Sequence, residues 1–174
     1  MKLKNYLLKI CAIALLLSLT SCGEWVKAMI DKSKALKVIT IENGAIPPEF
    51  GRNKTTLLCQ IEGRKNHDKY VIKNVSENYH GKSVFIQKHM LNSEEYEDVS
   101  KYRYYFSIDK EVKKSTSFNV ATGRNETHNI VTTSYYILDR KEDIAYECPM
   151  KSNAFGKMIK AYMTNLEAVR LKHE

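Results

Sequence analysis

Thiols, imidazoles, carboxylates and phenols are the side chains through which this chain can do chemistry, and their spacing limits what that chemistry is. The five histidines, His67, His80, His89, His128 and His173, are scattered. Neither C-x-x-C nor H-E-x-x-H occurs, so the sequence implies no metal and no cofactor. A Cys-His nucleophile would have to join Cys59 or Cys148 to a distant histidine. Both thiols fall in apolar runs, where a thiol stays protonated and inert. G-x-S-x-G and the glycine-rich phosphate loops are missing too, and seven glycines leave little material for a backbone cradle. Glu94, Glu95, Glu97 and Asp98 form an acidic group, but on a short predicted helix they suit its positive end and water. No catalytic residue is assigned, and an enzyme is not the expected reading.

The phenols are the remaining chemical feature. Tyr102, Tyr104, Tyr105, Tyr135, Tyr136 and Tyr146 crowd into three predicted strands, the first of them beside Lys101 and Arg103. A strand turns successive side chains to opposite faces, so alternation leaves some of these rings outward as an aromatic and cationic binding surface. Tyr102, Tyr104, Tyr105, Tyr135 and Tyr136 are the candidates for it. Cross-strand aromatic pairs that only stabilise a sheet explain the same residues.

The N-terminus carries a separate signal. Lys2, Lys4 and Lys9 precede the apolar run Ile10 to Leu19, which is too short to span a bilayer, a task for about 20 residues. The run ends in Leu19, Thr20, Ser21, Cys22, which resembles the lipobox of bacterial lipoproteins. That resemblance implies cleavage between Ser21 and Cys22 and diacylglycerol on the Cys22 thiol, with a further acyl chain on the new amine in many bacteria. More than one chain makes a stable anchor. Gly23, in place of an aspartate at that position, favours the outer membrane in a cell with two membranes.

Signal removal leaves 25 basic against 20 acidic residues, a net charge of +5 for the mature chain. Basic and acidic side chains are interspersed, so no nucleic-acid footprint emerges. Cys11 departs with the signal and Cys22 is lipidated. Cys59 and Cys148 remain, either as a disulfide that the compartment permits or as two buried thiols.

Residues 22–54 read as a lipidated tether and capping segment, with a short helix from Glu24 to Lys37 and a break at Ile46-Pro47-Pro48-Glu49-Phe50-Gly51. Residues 55–174 read as the globular domain. Leu57, Leu58 and Cys59 are apolar on consecutive positions, as in a strand covered on both faces. Asn66 would cap a helix from His67 to Asn78, and a second strand follows over Lys82 to Lys88. Asn92 and Glu95 suggest a short helix, Ser93 to Val99. Tyr102 to Ile108 alternate, with one face buried and one wet. Ser115 to Ala121 and Thr127 to Leu138 form a hairpin, Ile144 to Cys148 a last strand, and Pro149 ends it. A final helix carries Phe155, Met158, Ile159, Tyr162, Leu166 and Val169 on one stripe.

The order βαβ(α)βββα predicts one α/β domain with helices packed on a mixed sheet. Tyr135 to Cys148, with Ile137, Leu138, Asp139 and the turn Lys141 to Asp143, is similar to the strand, aspartate, turn, strand pattern of the α/β domain shared by TolB N-termini and CsgG-type lipoproteins. The glycine usual in that turn is absent. The resemblance implies a fold used in envelope assembly and carries no catalytic residue. The expected function is a non-catalytic envelope lipoprotein that binds another protein through the Val112 to Leu138 hairpin. The alternative is a small-ligand or glycan binder, or a hydrolase without a recognised motif, using a pocket near Glu49 and Phe50.

Overall fold

Leu57, Leu58 and Cys59 do occupy a strand covered on both sides. They lie in β1 (Leu57–Ile61), which pairs parallel with β2 (Ser83–Gln87) and with β3 (Tyr104–Asn119). β4 (Arg124–Asp139) and β5 (Ile144–Glu147) continue the sheet antiparallel, in the spatial order β2-β1-β3-β4-β5. The structure, a computed structural model, describes residues 33–174, of which Ala35–Glu174 form one unit. The signal, the lipobox with Ser21 and Cys22, and most of the Glu24 to Lys37 helix lie outside the described residues. Residues 33–38, helical, are called α1.

Between β1 and β2 runs α2 (Lys65–Asn78), which packs beside α3 (Phe155–Leu171) on one face of the sheet. α2 starts two residues before the expected His67, and Asn66 does not cap it. Asp68 reaches back from the first turn to accept the Glu62 N–H at 2.9 Å. The α3 stripe is as expected: Met158, Ile159, Tyr162, Leu166 and Val169 are all buried. They meet Leu57 and Cys59 of β1, Tyr104 and Phe106 of β3, and Tyr135 and Ile137 of β4 in the main core.

The N-terminal segment belongs to that core. Ala35, Ile39, Ala45, Ile46 and Phe50 are buried in it. Asn165 donates to the carbonyls of Leu36 and Ile39, and the Tyr162 hydroxyl donates to Ala45 O at 2.6 Å. The domain therefore extends to Ala35, well before the Thr55 boundary read from sequence.

On the opposite face Leu58, Ile86, Tyr96, Tyr102 and Tyr105 form a smaller cluster with Val84, Met90, Leu91 and Leu138. The segment that covers it contains two 3-10 turns, Lys88–Met90 and Glu94–Tyr96, in place of the expected Ser93 to Val99 helix. Arg140 ties this cover to the sheet by donating to the carbonyls of Leu91, Tyr96 and Tyr102. The cover overturns the expectation of a wet face. Arg103, Tyr105 and Ser107 are as buried as the residues they alternate with.

Cys59 and Cys148 are separate buried thiols. Strand order explains this. β3 and β4 stand between β1 and β5, so the two cysteines are about three strand spacings, roughly 14 Å, apart. A disulfide needs Cα atoms within about 7 Å.

Candidate functional site

Three features of the body bear on function: a projecting ribbon and a recess at each end of the parallel strands. The ribbon arises because β3 and β4 are each 16 residues long, whereas β1 and β5 pair only with their sheet-proximal parts. Residues 109–119 and 124–134 pair with each other past that point, a length of roughly 34 Å at 3.4 Å per residue. The strand expected to end at Ile108 and the one expected to begin at Ser115 are one strand. Its tip is a tight turn in which Gly123, at φ +64°, donates to Asn119 O, and Asn119 Oδ1 accepts from Ala121 N–H.

Ribbon faces follow the two-residue period. Val112 stands opposite Val131 on one face, and Phe118 opposite Asn125 on the same face nearer the tip. Val112, Phe118, Val120, Ile130 and Val131 are all exposed, set among Lys, Ser, Thr, Asn and Glu. Near its base the β4 edge is occupied: Asn153 donates to Val131 O and Ser152 N–H to Thr133 O. Beyond Val131 both edges offer free backbone donors and acceptors.

The recess at the C-terminal ends of β1 and β2 is an open groove lined by Gln60, Glu62, Arg64, Lys88, His89 and Lys110. Its charges answer one another. Lys110 Nζ donates to Glu62 at 2.7 Å, Lys88 Nζ to Asp109 at 3.0 Å, and Arg64 stands 3.7 Å from Glu62. Beneath it, Gln60 Oε1 accepts from the Tyr105 and Ser107 hydroxyls and the Ile108 N–H. This end is a satisfied polar network that holds β1 to β3.

The recess at the N-terminal ends of the same strands is different. It encloses about 570 Å³ between Phe50 to Thr55, which lead into β1, Tyr79 to Lys82, which lead into β2, and Arg170, His173 and Glu174 at the end of α3. Gly51 (φ +85°) and Gly81 shape its floor. A Cβ on Gly51 would lie 2.8 Å from Arg170 Cα, and one on Gly81 2.5 Å from the Tyr79 hydroxyl. Arg170 is tied to Glu167 and Glu174, and Arg52 to Glu49. Among the described residues, Lys54 and Lys82 form no ion pair, and the Tyr79 hydroxyl makes no hydrogen bond although the residue is 5% exposed.

The tyrosines assigned to a binding surface are not on one. Tyr104, Tyr105 and Tyr135 are at most 1% exposed and Tyr102 is at the edge of burial. Burial drives the phenol pKa of Tyr104, Tyr105 and Tyr135 upward, so they stay neutral; Tyr105 donates to Gln60 and Tyr135 to Ser152 O, whereas the buried Tyr104 hydroxyl has no partner among the described residues. Tyr136 is half-buried and donates to Asp109. Aromatic residues are in the core because both faces of the sheet are covered. The pocket expected near Glu49 and Phe50 does have Phe50 in its lining; what sequence reading missed is that the turn Phe50-Gly51-Arg52-Asn53-Lys54 is paired there with Tyr79-His80-Gly81-Lys82. Each has glycine and lysine just ahead of a strand, and parallel pairing of those strands brings the turns together.

Compared with protein-family models, curated proteins and solved structures, the chain matches none.

Proposed function

We propose that this protein is a lipid-anchored envelope module that docks another polypeptide through the β3–β4 ribbon. The observation that carries the reading is the ribbon itself. An isolated two-stranded hairpin is marginal in water, and a third strand or a packed face is what ordinarily stabilises one. This ribbon has neither over residues 113–119 and 124–130, and it presents free edges and exposed apolar side chains. An extended segment of a partner can add to such an edge through main-chain hydrogen bonds, with the apolar side chains setting specificity.

The anchor rests on Cys22 and its signal context. The TolB and CsgG-like pattern over Tyr135 to Cys148 agrees with a role in envelope assembly. No catalytic step is assigned.

Cross-linking tests the reading. A photo-reactive residue is placed at Val112, Phe118 or Ile130 and, as control, at Lys73 on the outer side of α2. Irradiation of intact envelopes should trap one polypeptide from the ribbon positions and not from Lys73. Equal products from both, or none from the ribbon, would reject docking through it. Cys22→Ala tests the anchor independently and should release the protein from the membrane fraction.

A further inference from the structure

We infer that the recess at the N-terminal ends of β1 and β2 is a binding site for a small phosphorylated ligand. Lys54, Lys82 and the Tyr79 hydroxyl would hold the phosphate. The argument begins with what the recess lacks. Its unpaired charged side chains are cations, because Arg52 is paired with Glu49 while Arg170 already holds both Glu167 and Glu174. Lys54 and Lys82 are left without counter-charges among the described residues. They belong to two different turns, which the parallel register of Leu57 with Ser83 sets side by side.

A second, independent observation is Tyr79. It is 95% buried by its neighbours, lines the recess, and has a hydroxyl without a partner among the described residues. The ring is what is buried; the hydroxyl itself opens on the recess, where an acceptor can reach it. Gly81 leaves room for that hydroxyl, since a side chain there would collide with it at 2.5 Å. An incoming oxygen acceptor would satisfy the phenol and both ammonium groups at once. A tetrahedral phosphate presents several oxygens to donors arriving from different directions, and lysine serves as a point-charge phosphate binder.

The electrostatics of the walls agree with an anion despite the carbonyl ends of α2 and α3 nearby. The effect of a helix end is worth only about 0.3 to 1 kcal/mol and fades within a turn. Two unpaired lysines outweigh it. His80 and His173 add donors at the rim, and Glu174 is the one carboxylate in the lining. The space, about 570 Å³, exceeds what bare phosphate needs and lies in the range of small-molecule sites. The ligand therefore has an organic part.

A phosphate monoester reaches this site either as a soluble sugar phosphate or as a lipid headgroup, and titration calorimetry separates the two. Lipidated full-length protein in detergent is titrated with glucose 6-phosphate, with dihexanoyl phosphatidic acid and with glucose. One or both phosphates should bind, and glucose should not; whichever phosphate binds more tightly names the source. Tyr79→Phe removes only the hydroxyl and should weaken binding roughly 10-fold or more, the scale of one hydrogen bond to a charged group. Lys54→Gln with Lys82→Gln, both at exposed positions that the fold tolerates, should abolish it. Binding of neither phosphate, equal binding of glucose, or affinities unchanged in both variants would overturn the site. None of these outcomes depends on the ribbon.

Discussion

Arg103 lays its guanidinium along the Asp139 carboxylate, with Nε 2.9 Å from Oδ1 and Nη2 2.8 Å from Oδ2, and both side chains are nearly sealed from water. The pair joins the start of β3 to the end of β4, and Asp139 also accepts from the Lys141 N–H to begin the turn into β5. One carboxylate thus closes the sheet and starts its last hairpin. Asp139→Asn keeps the shape and removes the charge, leaving the buried guanidinium with only the half-exposed Glu142 carboxylate, 3.8 Å away, as a counter-charge. Breaking such a pair costs about 3 to 5 kcal/mol. Urea unfolding should show the stability lowered by that amount, as a lower midpoint with an unchanged slope, and a loss under about 1 kcal/mol would contradict the role.

Cys59 and Cys148 are predicted to remain thiols even in an oxidising compartment, because two strands hold them apart. Burial raises both thiol pKa values, so neither offers a thiolate. A thiol reagent should find both inert in the native protein. After unfolding without reductant, it should titrate two thiols, Cys22 being blocked by its lipid. Zero thiols in that second measurement would mean a disulfide and a different strand order.

The ribbon is predicted to be dispensable for the fold. Replacing residues 111–132 by Asn-Gly joins Lys110 to Thr133, which already face each other in register, through the two-residue turn that antiparallel strands prefer. Most of the residues removed are exposed, and the Asn153 bond to Val131 O is the main tie lost. Thermal unfolding should move by only a few degrees, the effect of about 1 kcal/mol on a domain this size. The same variant, affinity-tagged, should no longer co-purify with the polypeptide trapped by the ribbon positions of the full-length protein. A collapse of the thermal transition would show that the ribbon stabilises the body instead.

Periodicity exposed the elements whose rule is local. The α3 stripe from Met158 to Val169 and the doubly covered run Leu57 to Cys59 could be read directly, and the mixed α/β sheet followed from the order of elements. Other features depended on partners distant in sequence. Tyr105 and Ser107 seemed to face water because the segment that covers them, residues 88–102, is two 3-10 turns without a helical stripe. The glycine missing from the turn after Asp139 is replaced by Asp143 at φ +54°, a conformation aspartate tolerates better than most residues. The continuous β3 went unseen because the stretch from Asp109 to Lys114 carries one apolar residue, Val112, and shows no alternation. The recess of Tyr79, Lys54 and Lys82 required knowing that β1 and β2 are parallel neighbours, which places two unrelated turns together.

Glu167 makes the acid side of the stability curve a test of the α2 and α3 contact. It is 8% exposed and accepts from Arg170 Nε and Nη2, each at 2.8 Å, and from the His80 N–H at 3.1 Å. The Arg170 bonds chiefly, then the His80 bond, hold its carboxyl below the ordinary glutamate value against the opposing effect of burial. A carboxyl depressed in the folded state contributes stability that is complete above its unfolded value, about 4.3, and is lost as pH falls through the folded value. Glu167→Gln should therefore cost about 1 to 3 kcal/mol at pH 7, the range for breaking a buried hydrogen-bonded contact. The gap between wild type and variant should narrow steadily below about pH 4, where protonation gives the wild type the same neutral side chain. Denaturant unfolding of both proteins from pH 7 to pH 3 measures it. A gap that stays constant over that range would mean that the Glu167 charge does not stabilise this junction.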